Sequence, residues 1–379
     1  DLYAYNASLM FTDTFTKVMN THAIKAGVSV ERARKDQNFQ NNEAGEMIYS
    51  NWGNGTTGNV FADTLTARPS QATFGTFSLD GNFQLWNIDF FLQDSWKVKK
   101  NFTLEYGARF SKMTNNIERN GYGARFDATR YIPGQGAYRD DTKSYMNGVA
   151  YAELGEVDKN LIDSRPIYFM PRVNFAYDVK GDGDLIVRGG AGVFYNRPMG
   201  NAEYDVIRFS PYAYSITMDA GSTQNFPGGR MDYNTMGQAD PFAFVGGIAV
   251  PQSVSVESAD YPRYFTGSLS VGKRLPWQQF LEVGYVGTFG RHLLNSRNDN
   301  IIPEGALFEA FPDPVQRAAL DNAVLTNYSK YPSLGGVGFW EYNATSNYHS
   351  LQATLSRQTS GRFQYFATYT FSKVLGLIN

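Results

Sequence analysis

Charged residues occupy alternate positions within otherwise apolar segments of this chain. Seven of them are candidates for ligand contact: Glu105, Arg109, Arg172, Arg188, Glu282, Arg357 and Arg362. Guanidinium groups bind carboxylate or phosphate through paired hydrogen bonds, so these residues predict contact with an anionic or zwitterionic ligand. The alternative is that they fill a water-filled lumen or pair with another domain.

Catalytic motifs are not found in the sequence. It contains no G-x-S-x-G elbow, Walker A loop or H-E-x-x-H sequence. The segment "RGGAGVF" (188–194) lacks the third glycine of a dinucleotide fingerprint, and its glycines are expected to relieve crowding in a strand. We predict that the protein is not an enzyme and uses no cofactor.

Metal binding is also disfavoured. Asp178, Asp182 and Asp184 surround two glycines, which could suggest calcium, but their spacing does not match an EF-hand loop. A solvated hairpin turn explains them better. Three histidines are expected at separate strand ends or edges: His22, His292 and His349.

The elements that carry these residues alternate with a period of two. In 102–111 one face carries Phe102, Leu104, Tyr106, Ala108 and Phe110, and the other carries Thr103, Glu105, Gly107, Arg109 and Ser111. In 87–98 Asp94 is the only polar residue on the apolar face. This pattern predicts strands with one apolar and one polar face.

Five such hairpins are predicted, at about 8–33, 87–111, 171–196, 263–289 and 347–373. Long polar segments separate them, at about 34–85, 112–170, 197–262 and 290–346. Short turns that alternate with long loops, and strands of about 9 to 11 residues, are typical of an outer-membrane barrel. A soluble sandwich, the alternative, would carry turn signals every 8 to 12 residues or so.

The composition fits the membrane barrel. Aromatic residues make up 15% of the chain and there are 37 glycines, yet the mean hydropathy is −0.39. Half of each barrel strand faces a wet lumen, which lowers the average. The apolar face must then point to lipid and the strands must close. We predict an all-β transmembrane antiparallel barrel in the bacterial outer membrane.

Aromatic residues near the short turns predict an interfacial girdle: Trp96, Trp277, Phe363 and Tyr365. The long loops contain Tyr, Trp, Arg, Asn and Gly in segments 49–59, 119–141 and 335–348, which suits carbohydrate or peptide contact and ordinary loop packing equally. Segment 313–325 is predicted as a short surface helix, with Asp313 as N-cap and Pro314 at its first position.

Charge and cysteine content exclude other classes. The net charge is −2 and there is no basic tract, so nucleic acid is not an expected partner. The chain has no cysteine, which excludes disulfides and thiol chemistry.

The hairpin edges resemble TonB-dependent receptors. The segments are "FTDTFTKVMNTHAIKAGVSVER" (11–32), "QDSWKVKKNFTLEYGARF" (93–110), "PRVNFAYDVKGDGDLIVRGGAGVFYNRP" (171–198), "YVGTFGRHLLNSRNDN" (285–300) and "NYHSLQATLSRQTSGRFQYFATYTFSK" (347–373). They are most similar to the Oar-like branch, whose members carry a carboxypeptidase-regulatory-like domain. The resemblance implies an energised outer-membrane transporter: a barrel of about 22 strands with a plug in its lumen. It also implies coupling to the TonB–ExbB–ExbD system through a TonB box ahead of the plug.

The plug, the TonB box and a terminal aromatic strand are not recognised in the sequence, so we expect an interior portion of a longer protein. Expected partners are outer-membrane lipid or lipopolysaccharide, the TonB system, and a possible surface lipoprotein or other subunit. Two alternatives to uptake of a large or scarce ligand (oligosaccharide, peptide or chelate) stay open. The barrel could anchor a surface partner, or it could be a passive porin.

Overall fold

The computed structural model describes residues 3–38, 45–51, 56–75, 79–140, 144–161, 165–197, 204–209, 211–212, 215–219, 248–254, 260–318, 320, 324–325, 327–357 and 363–377.

Strands dominate the chain. They are β1 (Ala4–Met19), β2 (His22–Asn38), β3 (Glu46–Ile48), β4 (Gln71–Gly75), β5 (Asp80–Lys99), β6 (Phe102–Met113), β7 (Ile117–Glu118), β8 (Ala124–Phe126), β9 (Val149–Tyr151), β10 (Tyr168–Asp178), β11 (Leu185–Tyr195), β12 (Ser215–Asp219), β13 (Ile248–Val254), β14 (Arg263–Leu275), β15 (Gln279–Asn298), β16 (Leu334–Arg357) and β17 (Tyr365–Leu377). Short helices are α1 (Val60–Leu65), α2 (Ala306–Ala310) and α3 (Pro314–Ala318), with 3-10 turns at Ala128–Arg130 and Asp205–Ile207.

One large sheet forms the wall of the molecule. Its order is β1-β2-β5-β6-β10-β11-β14-β15-β16, and β17 pairs with β16. These neighbours are all antiparallel, whereas β13 joins the far part of β16 in parallel. Among the described strands, β1 pairs only with β2 and β17 only with β16, so the sheet has two open edges. A closed ring of about 22 strands stays a prediction.

The four short connections that the structure describes lie at one end of the wall. β1 and β2 are joined by a tight turn in which Asn20 has φ +49°. Pro276, Trp277 and Gln278 connect β14 to β15, and Trp277 and Gln278 have φ +62° and +60°, in the left-handed region. The connection between β16 and β17, at 358–362, lies outside the described residues.

Several wall strands are longer than the alternation pattern predicted, whereas β10 and β11 have the expected length of 11 residues each. β5 and β15 each contain 20 residues and β16 contains 24. The extra residues lie at the long-loop end, where β16 begins at Leu334 rather than near 347. Beyond the membrane a strand no longer needs one apolar and one polar face, because loops or water cover both of its faces. The alternation of apolar and polar residues therefore does not mark these extensions.

The long segments fold together instead of extending separately. Residues from 112–170, 197–262 and 290–346 form one apolar cluster, here called the loop core: Ala124, Phe126, Met146, Val149, Tyr151, Phe209, Tyr212, Tyr331, Leu334, Val337 and Phe339. The Tyr131 hydroxyl donates a 2.5 Å hydrogen bond to the carbonyl of Pro332, which ties two of the segments. A small sheet of β12-β4-β3 joins 34–85 to 197–262.

The helix predicted at 313–325 begins where expected. Asp313 Oδ1 accepts a 2.9 Å hydrogen bond from the Val315 amide, and α3 starts at Pro314. Its described part ends at Ala318, and several of the following residues lie outside the described set. No helix in the described part of the chain is long and apolar enough to span a membrane.

Candidate functional site

Strand register collects the predicted charged residues on one face of the wall. Residues directly opposite each other in neighbouring strands share a face. Gly107, between Glu105 and Arg109 in the alternation, lies opposite Arg172. Ala176, on the face of Arg172, lies opposite Arg188, which lies opposite Ser270. Ser270 lies opposite Gly284, which is two residues from Glu282 in β15 and therefore on the same face. Five candidates therefore share the polar face: Glu105, Arg109, Arg172, Arg188 and Glu282.

Most of these polar-face charges are already paired. Arg188 Nη1 lies 3.4 Å from Glu282 Oε1, which also accepts a 2.8 Å hydrogen bond from the Ser270 hydroxyl. Arg109 Nη1 lies 3.8 Å from Asp89 Oδ2. The side chains of Arg188 and Glu282 are 48% and 35% exposed, so this pair contributes little to stability. The arrangement suits a water-filled lining more than a reactive group.

Arg172 differs from the other polar-face charges. It makes no ion pair or side-chain hydrogen bond within the described part of the chain, and its two cross-strand neighbours are Gly107 and Gly192. Neither glycine places a side chain of its own against the guanidinium, although the Phe194 ring covers Gly192. Arg172 is thus available to a group from outside this chain.

Arg357 lies on the other face, so its assignment to the polar face was wrong. It lies opposite Gln279 and Tyr365, and it shares its face of β16 with Leu355 and Leu351, which are two and six residues before it. The two-residue period fixes this side once the register is known. Arg362 lies outside the described residues.

The predicted girdle residues lie near the short turns, and their interfacial role stays a prediction. Trp96 stacks on His22 with 5.3 Å between ring centroids. Trp277 is 76% exposed within its turn. The rings of Phe363 and Tyr365 lie 5.7 Å apart.

Gly189 shows why "RGGAGVF" is not a nucleotide loop. It forms β11, and a Cβ added to Gly189 would lie 2.6 Å from Cε1 of Phe175. The segment therefore lets an aromatic ring of β10 lie flat against the strand.

The aspartates around 180–184 stabilise a turn. The Asp178 carboxylate accepts hydrogen bonds from the Gly181 and Gly183 amides, at 3.0 and 2.7 Å. Asp184 Oδ2 lies 2.6 Å from Lys273 Nζ, and this hydrogen bond lowers the pKa of Asp184. Within the described residues no group of three or more His, Cys, Asp or Glu side chains could hold a metal ion.

Loop residues that suited ligand contact are mostly structural. Phe126 and Phe339 are 1% and 8% exposed in the loop core. Arg139 forms paired hydrogen bonds of 2.6 and 2.9 Å with Glu156. The hydrogen bond from Arg139 lowers the pKa of Glu156 and raises that of Arg139 itself. In 49–59, Asn59 caps α1 through the amides of Phe61 and Ala62, and 52–55 lies outside the described residues.

Apolar residues on the polar face mark where the loops rest on the wall. No sequence motif indicates these contacts. Phe83 is opposite Lys35 on that face, yet it is 2% exposed because it packs with Ile207. Lys35 Nζ lies 4.1 Å from the ring centroid of Tyr204. Met113, on the face of Arg109, is buried with Tyr261. The sequence signal for these contacts is an apolar residue at a polar-face position near a long loop.

A long antiparallel sheet with one polar and one apolar face, short turns at one end and long loops at the other is the wall of a transmembrane β-barrel. The model for the outer membrane beta barrel domain matches residues 3–378, so the chain belongs to that family and its location is the bacterial outer membrane. The apolar face therefore points outward to lipid, and the polar face points inward.

Several solved structures are similar to the chain at low identity. The chain is similar to the outer membrane transporter YddB from Escherichia coli, with TM-score 0.49 and 9% identity over 99% of this chain and 33% of that chain. It is also similar to the copper transporter OprC, with TM-score 0.45 and 8% identity over 98% of this chain and 39% of that chain. For the siderophore receptor PirA from Pseudomonas aeruginosa the TM-score is 0.38 and the identity 8%, over 97% and 51%. The chain thus spans between a third and about half of these proteins. No curated protein matches it in sequence.

Proposed function

We propose that the chain forms part of the wall of a TonB-dependent transporter of the Oar-like branch. The complete protein would take up a large or scarce ligand, such as an oligosaccharide, a peptide or a chelate, into the periplasm. The barrel of about 22 strands, the plug and coupling to TonB–ExbB–ExbD are parts of this proposal. A wall of this kind has no catalytic role.

The observation that carries the proposal is the contact between the loops and the inward face. Ile207 packs on Phe83, Tyr204 on Lys35, and Tyr261 on Met113. Loops that share a core and rest on the wall obstruct passive passage of a large solute near this part of the wall. Passage then requires the loops to separate, and an energised mechanism can supply the work. This supports a transporter over a passive porin.

Arg172 is the inward residue proposed to meet the plug or the ligand. Its charge has no partner among the described residues, and glycines flank it across both neighbouring strands. Glu105, Arg109, Arg188 and Glu282 would keep the surrounding wall hydrated. Guanidinium groups favour carboxylate or phosphate, which fits an acidic side chain of a plug or an anionic ligand.

The test uses cells that carry the complete gene, with and without TonB. Labelled oligosaccharides, peptides and metal chelates are offered, and their accumulation in the periplasm is measured. We expect accumulation of one class to be lost without TonB. Accumulation that persists without TonB would identify a porin, whereas a surface partner retained with no accumulation would identify an anchor.

A further inference from the structure

Basic residues bound the outward apolar band of β14 and β15. On β14 the outward positions between Lys273 and Arg263 are Val271, Leu269, Gly267 and Phe265. Arg263 lies ten positions from Lys273, which is about 34 Å along a strand and about 26 Å across a membrane at a tilt of roughly 40°. This matches the height of the apolar band, so Arg263 lies at its outer boundary, on the side of the long loops.

A second arginine lies directly opposite the first. Arg263 pairs with Arg291 in the register of β14 and β15, so both point outward. Side chains placed in this way have Cβ atoms about 5 Å apart, and like charges there are destabilising. The pair therefore calls for a negative charge between or above the two guanidinium groups.

No carboxylate of the described residues supplies that charge. Asp260 is the acidic group beside them, and it is held by Arg165 at 2.5 Å and approached by His292 at 3.7 Å. Neither Arg263 nor Arg291 forms an ion pair within the described chain. Both charges are thus uncompensated by this part of the protein.

Neutral groups orient the two arginines without cancelling their charge. Arg291 Nη1 donates to the Gly290 carbonyl at 2.7 Å and to Asn347 Oδ1 at 2.9 Å. Arg263 lies 4.9 Å from the ring centroid of Phe265, and its Nε is buried without a hydrogen-bond partner. Arg291 itself lies within a bulge of β15 against β16, between Gly290 and Leu293. The site is held in place and retains unused donors.

An apolar surface lies on the membrane side of the arginines. Phe265 and Phe289 are directly opposite each other on the same outward face, one alternation closer to the short turns. Phe265 is 38% exposed. A ligand that bridges the arginines can therefore extend a hydrocarbon chain across these rings.

We propose that Arg263 and Arg291 bind the phosphate of a lipid in the outer leaflet, with an acyl chain of that lipid on Phe265 and Phe289. Two guanidinium groups satisfy several phosphate oxygens at once. The site depends on the membrane location of the chain and not on what the barrel transports, so it stands or falls independently of the proposed function.

The test uses the complete protein in an uncharged detergent, with diphosphorylated lipid A as the probe. Binding is measured by native mass spectrometry and by the rise in unfolding temperature as the lipid is added. We expect the Arg263→Gln, Arg291→Gln double variant to bind about tenfold more weakly or worse, because charge-assisted hydrogen bonds are lost. Without lipid this variant should be at least as heat-stable as the wild type, since the repulsion is relieved.

The matched control is the Lys17→Gln, Arg357→Gln double variant. It removes two positive charges from the same outward face near the short turns, at the opposite boundary, and neither residue forms an ion pair within the described chain. It should bind the lipid like the wild type. Equal loss in both double variants, or undiminished binding by the first, would overturn the proposal.

Two further probes identify the source of the phosphate. Dephosphorylated lipid A should not raise the unfolding temperature, and inorganic phosphate alone should raise it far less than the lipid. If inorganic phosphate were as effective as the lipid, the site would bind a free anion and the lipid proposal would be wrong.

Discussion

Asp94 shows how a carboxylate is accommodated on the lipid-facing side of the wall. It accepts a 3.1 Å hydrogen bond from the Tyr106 hydroxyl, and one of its oxygens lies 2.7 Å from His22 Nδ1. Trp96 stacks on the same histidine. A lone carboxylate in hydrocarbon is costly, whereas a hydrogen-bonded one beside the interface is tolerated. Both contacts are made by Oδ2, whereas Oδ1 is buried without a hydrogen-bond partner among the described residues, so the polar interruption in the strand is satisfied only in part.

At the residue scale, Glu156 makes the loop core sensitive to acid. Arg139 donates to Glu156 and holds its pKa below the usual range. A lowered folded-state pKa contributes stability that is fully present above the unfolded value, about 4.3 for glutamate, and that stability is lost as the pH falls below it through the folded value. We expect the near-UV circular dichroism of the aromatic loop core to weaken in that range. Glu156→Gln should weaken it at pH 7 and flatten the acid dependence.

Glu309→Gln is the control for that experiment. Glu309 lies in α2 and forms no ion pair in the described chain. It should leave the profile unchanged. An acid transition that persists in Glu156→Gln would show that another carboxylate controls it.

At the scale of the elements, Gly107 sets how closely β5 and β6 approach. A Cβ at this position would lie 2.5 Å from the Leu92 carbonyl oxygen and 2.8 Å from Gln93 Cα, both backbone atoms. We expect Gly107→Ala to destabilise the wall by about 1–3 kcal/mol, because backbone cannot move aside as a side chain can. Urea unfolding in detergent micelles measures the change.

Gly267→Ala is the matched variant for Gly107→Ala. The nearest atom to its added Cβ would be the Gly190 carbonyl oxygen at 3.6 Å, so the methyl group fits. Its free energy of unfolding should change by less than about 0.5 kcal/mol. Equal effects at both positions would mean that loss of glycine flexibility, not crowding, is responsible.

Strands and faces were predictable from the alternation of apolar and polar residues, as in 102–111, because lipid on one side and water on the other impose it. The side of Arg357 was also available, since Leu351 and Leu355 precede it at alternate positions. The loop core was not, because its members come from segments separated by up to about two hundred residues and follow no period. Phe83 and Met113, apolar on a polar face, mark instead where other loop residues rest on the wall.

At the scale of the whole molecule, the shared loop core implies that the long loops move apart from one another in one concerted step. Thr73 of β4 and Thr217 of β12 are register partners that join two long loops. Paired strands place such Cα atoms about 4.5–5.5 Å apart, within the range of a disulfide. The chain has no cysteine, so Thr73→Cys with Thr217→Cys introduces one defined crosslink.

We expect that crosslink to abolish ligand accumulation in whole cells and a reducing agent to restore it. Each single cysteine variant is the control and should behave like the wild type. Full accumulation with the disulfide verified by mass spectrometry would show that this pair of loops need not part.

On the proposal that the long loops face the outside of the cell, the loop core determines the surface that antibodies or a bacteriophage would contact. Because Phe126, Phe209 and Tyr331 come from three different loops and pack together, the exposed surface around them is a composite epitope rather than three linear ones. Antibodies raised against the folded surface would then bind isolated loop peptides poorly. An escape substitution in one loop would also have to remain compatible with the other two, which restricts how freely this surface can vary.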